Sequence, residues 1–237
     1  MRKLFLLVVL SAVSFATAVA QRVQLPTQKT SVGGATLPSN FYAPNAVGNT
    51  MNNVDIQGQF ERGEWTRGNV KFKNGQEAKD IMLLFDVHSN KLYFQQGKTT
   101  MEFVNPVYEF EIGLLLGQDT GKVIYRNSYP AVNYNTPETF YEIVVDGSTL
   151  QLLWCRAKNV NLYKDASQPE ERRHTEKEQW YVHLPEGKMV KIKRDKESIT
   201  NALPQYADRI NEIIKSKGLK LKEADDFIQL FASLNGL

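Results

Sequence analysis

Gln179-Trp180-Tyr181-Val182-His183-Leu184-Pro185-Glu186-Gly187-Lys188-Met189-Val190-Lys191-Ile192-Lys193 is the stretch from which the fold is read. Side chains alternate across a β-strand, so residues two apart share a face. Trp180, Val182, Leu184, Val190 and Ile192 then fall on one side, and Gln179, Tyr181, His183, Lys191 and Lys193 on the other. Glu186-Gly187 supplies the turn between the two runs. Just beyond Arg194 the apolar period changes from two to between three and four. Asp195 is placed to cap a short helical turn running through Ile199 to Leu203. Pro204 suits the first turn of a helix with Tyr206, Ile210, Ile213 and Ile214 on one stripe, and Gly218 ends it. From about Lys222 a second helix aligns Ala224, Phe227, Ile228, Phe231 and Leu234 before Asn235-Gly236. Two short amphipathic helices cannot bury their stripes alone, so they are expected to pack on the sheet or on each other.

Working back from Arg194 to about Val54, the pattern is one of short strands separated by turns. Asn74-Gly75 joins Asn69–Lys73 to a return strand through Ile81–Phe85, and Gln96-Gly97 separates Lys91–Gln95 from Thr99–Phe103. Val107–Leu116 and Lys122–Arg126 flank Asp119-Thr120-Gly121. Thr139–Val145 and Thr149–Arg156 flank Asp146-Gly147, a pair that favours a type I′ turn. Residues 163–178, with Glu170, Glu171, Arg172 and Arg173, read as a solvated excursion. The expected fold is mainly β: a twisted antiparallel meander over 54–194, or a partly closed barrel, followed by a C-terminal helical hairpin over 195–237.

Upstream, residues 21–53 are rich in Gly, Pro, Ser, Thr and Asn without a period and read as an extended or disordered leader. Met1-Arg2-Lys3, the apolar run Leu4–Phe15 and Ala18-Val19-Ala20 have the three parts of a secretory signal peptide, with cleavage expected after Ala20. That run spans about 18 Å as a helix, too short for a hydrocarbon core of about 30 Å. No later stretch has the length and apolarity of a spanning helix, so the expectation is a periplasmic or secreted protein without an integral membrane span. Taking Arg2 and Lys3 from the 29 basic residues leaves 27 against 26 acidic ones, a balance unlike that of a nucleic-acid binder. Cys155 is the only cysteine and sits in an apolar run, so it reads as a small buried hydrophobe.

No reactive centre is written in the sequence. It has no helical His pair of the zinc proteases, no Cys-x-x-Cys, no Walker phosphate loop and no G-x-S-x-G elbow. No catalytic residue, metal site or cofactor site is assigned. Asp119-Thr120-Gly121 matches half of an aspartic-protease dyad, but the chain holds no second copy. Asp86-Val87-His88-Ser89-Asn90 loosely resembles a calcium loop, yet lacks the glycine and terminal glutamate that such a loop needs, and a tight turn fits it better. The candidate ligand-binding residues are Tyr181, His183, Lys191 and Lys193, which together suit an anionic group, and Trp65, which lies between Gly63 and Gly68 as a stacking platform or a bulky plug. Glu109, Glu111 and Glu142, near mid-strand, are where a hydrolase would pair its carboxylates.

Gly63-x-Trp65-x-x-Gly68-x-Val70 with Asn74-Gly75, the run Phe140–Gly147, Ala202-Leu203-Pro204 and Leu219-Lys220-Leu221-Lys222 resemble uncharacterised secreted β-rich proteins common in Bacteroidetes-type bacteria. The resemblance covers about residues 55–237. It implies a bacterial envelope setting, a β body with a helical C-terminal segment, and no transferable catalytic residue. The expected function is non-enzymatic binding of an envelope partner protein or a glycan-like ligand. The alternative is a secreted hydrolase with a site assembled from scattered strand residues, and a third class, a subunit of an outer-membrane assembly, would expose a broad apolar patch.

Overall fold

The computed structural model describes residues 65–97, 99–113, 121–163 and 171–237. The segments expected to be an export signal and an extended leader, residues 1–53, and Asp119-Thr120 lie outside them. Among the described residues ten strands form one antiparallel sheet: β1 Thr66–Phe72, β2 Glu77–Asp86, β3 Lys91–Gln96, β4 Thr99–Glu102, β5 Val107–Gly113, β6 Lys122–Arg126, β7 Tyr141–Asp146, β8 Gln151–Tyr163, β9 Glu171–His183 and β10 Met189–Ile192. Three helices follow, α1 Lys196–Ala202, α2 Ala207–Lys217 and α3 Ala224–Leu234. The mainly β body with a helical tail is therefore as expected.

Strand order is β10-β9-β8-β7-β6-β5-β1-β2-β3-β4, and the sheet is unclosed. Two meanders meet where β5 pairs with β1. A flat sheet would set β4 and β5 about 19 Å apart, four strand spacings. The connection from Glu102 to Val107 reaches only about 17 Å when fully extended. The first five strands must therefore curl. Phe103, within that connection, stacks on Phe94 at 4.5 Å and meets Phe72 of β1 edge-on at 5.4 Å. The Lys73 amide donates to the Pro106 carbonyl at 2.9 Å. The curl encloses Val70, Phe72, Ile81, Leu83, Phe85, Phe94, Phe110, Ile112 and Tyr125. Gly68 is obligatory in it, because a Cβ there would stand 2.1 Å from the Glu111 carbonyl oxygen of the adjacent strand.

The other half of the sheet buries its apolar face under the helices. Trp180, Val182, Leu184 and Ile192 lie in one core with Ile199, Leu203, Ile210, Phe227, Phe231 and Leu234, and Val190 packs at its margin. Trp154 and Trp180 stack at 4.8 Å, and Phe227 meets Trp180 edge-on at 5.1 Å. Asp195 caps α1 by accepting from the Ser198 amide at 2.7 Å, and Gly218 ends α2 in the left-handed region at φ 64°.

Three expectations need correction. Residues 171–178 are not an excursion: β8 continues to Tyr163 and pairs in register with β9 from Glu171, so the backbone stays in the ladder. The turn after Asp146 is not type I′, since Gly147 is not among the positive-φ residues. Instead the four residues 147–150 are held by Asn235, whose Oδ1 accepts from the Thr149 and Leu150 amides at 3.0 and 2.9 Å and whose Nδ2 donates to the Leu150 carbonyl at 2.9 Å. A Cβ on Gly147 would fall 2.0 Å from that side chain. Finally, the polar residues around Tyr181 suggest a solvated face, but at Tyr181 that face is covered. The segment from Asn127 to Phe140 is laid over it, and Tyr129, Tyr141, Leu153, Cys155, Tyr181 and Met189 form a second apolar cluster there.

Candidate functional site

The antiparallel register sets Lys71 opposite Glu109 and Glu109 opposite Arg126, on the face remote from the curl's interior. A row of polar side chains follows across six strands. Lys71 Nζ donates to Glu109 Oε1 at 2.7 Å, and Arg126 Nε donates to Glu109 Oε2 at 2.6 Å. Arg126 Nη2 reaches Asp146 Oδ2 at 3.2 Å. Gln151 Nε2 donates to Asp146, and Gln151 Oε1 lies 3.0 Å from His183 Nδ1. Because Gln151 uses its N–H on Asp146, its oxygen must accept from His183, which places the imidazole proton on Nδ1.

Each charge in this row is answered by another. Burial alone would push the Glu109 carboxyl up, but hydrogen bonds from Lys71 and Arg126 outweigh it and hold the group below the usual carboxylate range. Asp146 is lowered in the same way, its burial outweighed by Arg126 and Gln151. The bond from Lys122 lowers Glu111, which also accepts from Asn69. On the opposite face of the sheet, Arg156 pairs with Glu142 at 3.4 Å. Desolvation lowers His183, opposed by Glu186, so its ring favours the neutral form. No serine, threonine or cysteine side chain hydrogen-bonds to His183 among the described residues. Cys155 is buried, and desolvation pushes its thiol up to about 11, which suits an inert packing residue.

Next to this row, the segment between β6 and β7 forms a braced loop. The Tyr129 ring meets His183 at 5.1 Å and Tyr141 at 5.6 Å. Val132 and Asn135 exchange both backbone hydrogen bonds, at 3.1 and 3.0 Å, with Asn133 at φ 54°. Asn135 Nδ2 donates to the Tyr181 hydroxyl at 3.2 Å and approaches Cys155 Sγ at 3.8 Å. The Tyr181 hydroxyl donates to Gln179 Oε1 at 3.0 Å, and Lys191 Nζ donates to the same oxygen at 2.7 Å. At the loop's tip Tyr134 is 101% exposed.

The structure brings Tyr181, His183 and Lys191 onto one side of the sheet, but Tyr181 is wholly buried and only its hydroxyl takes part in the polar chain. Lys193 follows β10 and is exposed. Trp65 is elsewhere: it is half-buried against Leu84 and Tyr93, and four strands lie between β1 and β9. Glu109 and Glu111 share a face, while Glu142, opposite Tyr125 in the ladder, projects to the other side. Asp86 closes a turn by accepting from the His88 and Ser89 amides at 2.9 and 3.1 Å. Among the described residues no group of three His, Cys, Asp or Glu side chains is arranged to hold a metal ion. Gly97, of the Gly97-Lys98-Thr99 triplet, turns one strand into the next, whereas a phosphate-binding loop leads into a helix. Among the residues whose side-chain burial is described, the large exposed apolar ones are Val104, Tyr108, Tyr134 and Leu237. No helix among them is long and apolar enough to cross a membrane.

Arg126, Asp146, Gln151, Tyr134 and Asn135 are the site residues that sequence reading leaves out. The first three become neighbours only through strand register, and the last two through the path of the loop. No protein family matches the chain, and no curated protein or solved structure matches it either.

Proposed function

We propose that this chain is an exported, non-enzymatic protein of the bacterial cell envelope that binds a partner protein or glycan-like ligand through its sheet. The observation that carries the reading is the neutralised state of the polar row. Acid–base catalysis needs a group poised to change protonation near working pH. Glu109 and Asp146 are instead held ionised by Lys71, Arg126 and Gln151, and Glu111 by Lys122. A hydrolase would need a carboxylate with a raised pKa or a hydroxyl against a base, and these residues supply the opposite environment. The export signal and the resemblance to secreted Bacteroidetes-type proteins support the envelope setting.

The test is fractionation of the native host followed by purification from the envelope fraction. The reading predicts a processed chain beginning at Gln21, recovered with a bound protein or saccharide and without hydrolytic turnover. Recovery from the cytoplasm, or hydrolysis abolished by Glu109→Gln or His183→Gln in a folded protein, contradicts it.

A further inference from the structure

Tyr134 is fully exposed at the tip of a turn whose backbone is fixed. Its turn is closed by two backbone hydrogen bonds and pinned to the sheet through Asn135. An aromatic ring held this way offers contact area with little conformational entropy to lose on binding. The groups beside it are polar and directional. Gln179 Oε1 already accepts from Tyr181 and Lys191, so the amide's two N–H donors are turned away from that bond. Lys191 spends one of its three N–H donors on Gln179 and meets no carboxylate among the described residues. Lys71, Lys91 and Lys122, by contrast, each pair with a glutamate at 2.7 to 2.9 Å. Lys193, two residues beyond Lys191, is also exposed.

We propose that Tyr134, Asn135, Gln179, Lys191 and Lys193 form a binding site for an acidic saccharide. The proposal rests on the binding reading given above and names its ligand class. A pyranose ring stacks its apolar C–H face on Tyr134, its hydroxyls bond the amides of Gln179 and Asn135, and a uronate carboxylate meets Lys191. A protein partner fits less well, because interface cores are depleted of charge and built on contiguous apolar surface. Tyr134 stands instead between Asn133 and Asn135, beside a lysine that has no acidic partner among the described residues.

The probes are alginate, a polyuronate, and neutral hydroxyethylcellulose, each embedded in a native gel and run with the full exported chain. Alginate is expected to retard the protein and the neutral polymer much less. Tyr134→Ala weakens the alginate interaction at least tenfold while leaving the circular dichroism spectrum unchanged, and Tyr134→Trp restores it. Lys191→Ala with Lys193→Ala removes the preference for alginate. Equal retardation of wild type and Tyr134→Ala overturns the site, and equal retardation by both polymers overturns the acidic class. An envelope protein captured by wild type and lost with Tyr134→Ala, without alginate retardation, overturns the saccharide assignment and leaves the binding reading standing. Turnover of alginate would contradict that broader reading instead.

Discussion

The two halves of the sheet solve the same problem differently. Strands β1–β5 bury their apolar face by curling on themselves, around Phe94, Phe110 and Leu83. Strands β7–β10 remain more open and borrow α1–α3 to cover Trp180, Val182 and Leu152. The reverse faces differ as well. On the curled half that face carries ion pairs such as Lys71–Glu109 and Lys122–Glu111, with the lysines exposed and Glu109 buried. On the open half it is covered by Tyr129 and Asn135 and ends at the exposed Lys191. Each half therefore has one remaining face, and only that of the open half is crossed by a loop, the one that carries the proposed binding site.

The largest expected effect breaks the helical cover. Phe227→Ala removes a fully buried ring from between Trp180 and Phe231 and should destabilise the protein by about 3–5 kcal/mol. Hydrogen exchange should then accelerate in β8–β10 well before β1–β3. Equal acceleration in both halves would mean that they do not differ as described.

Glu109→Gln comes next, because it leaves Arg126 facing a neutral partner in a half-buried setting, at a cost of about 2–3 kcal/mol in a urea titration. The sign with pH follows from the lowered carboxyls. Glu109 and Asp146 have folded values below their ordinary 4.5 and 3.8, so their contribution is present above those values and is lost as pH falls through the folded ones. Wild type should therefore lose stability below about pH 4.5, and Glu109→Gln should flatten that limb.

Asn235→Ala removes the clamp on residues 147–150 and should cost about 1–2 kcal/mol. Gly147→Ala should act in the same direction by expelling the Asn235 side chain. In the double variant the two effects should not add, which a mutant cycle measures directly.

The smallest effect is that of His183. Its folded value lies below 6.5, so between about pH 6.5 and that value the unfolded chain binds the proton first and stability falls with pH. His183→Gln should remove this slope, read as a flatter stability profile between about pH 7 and 5 than that of wild type.

Much of the fold is legible in residue spacing. The alternation around Trp180 and Val190 names the face that the helices cover, and Asp195, Pro204 and Gly218 mark helix boundaries through local chemistry that requires no partner. Other features depend on partners distant in sequence. Gly147 looks like a tight-turn glycine because Asp-Gly commonly is one, and only the arrival of Asn235 explains it. Tyr181 shares its strand face with the polar Gln179, His183 and Lys191, so its burial becomes apparent only once the segment carrying Tyr129 and Asn135 is seen to cross it. The polar row from Lys71 to His183 needs five strand registers at once, which no local pattern supplies. Tyr134 gives no periodic signal at all, because it lies in a loop.

The most direct test follows backbone amide shifts of the ¹⁵N-labelled chain from Gln21 onward during titration with an alginate tetrasaccharide. The account predicts saturable shifts confined to residues 132–135, 179–181 and 189–193, all lost in Tyr134→Ala. Shifts centred on the curled half around Trp65, or none at millimolar ligand, would contradict it.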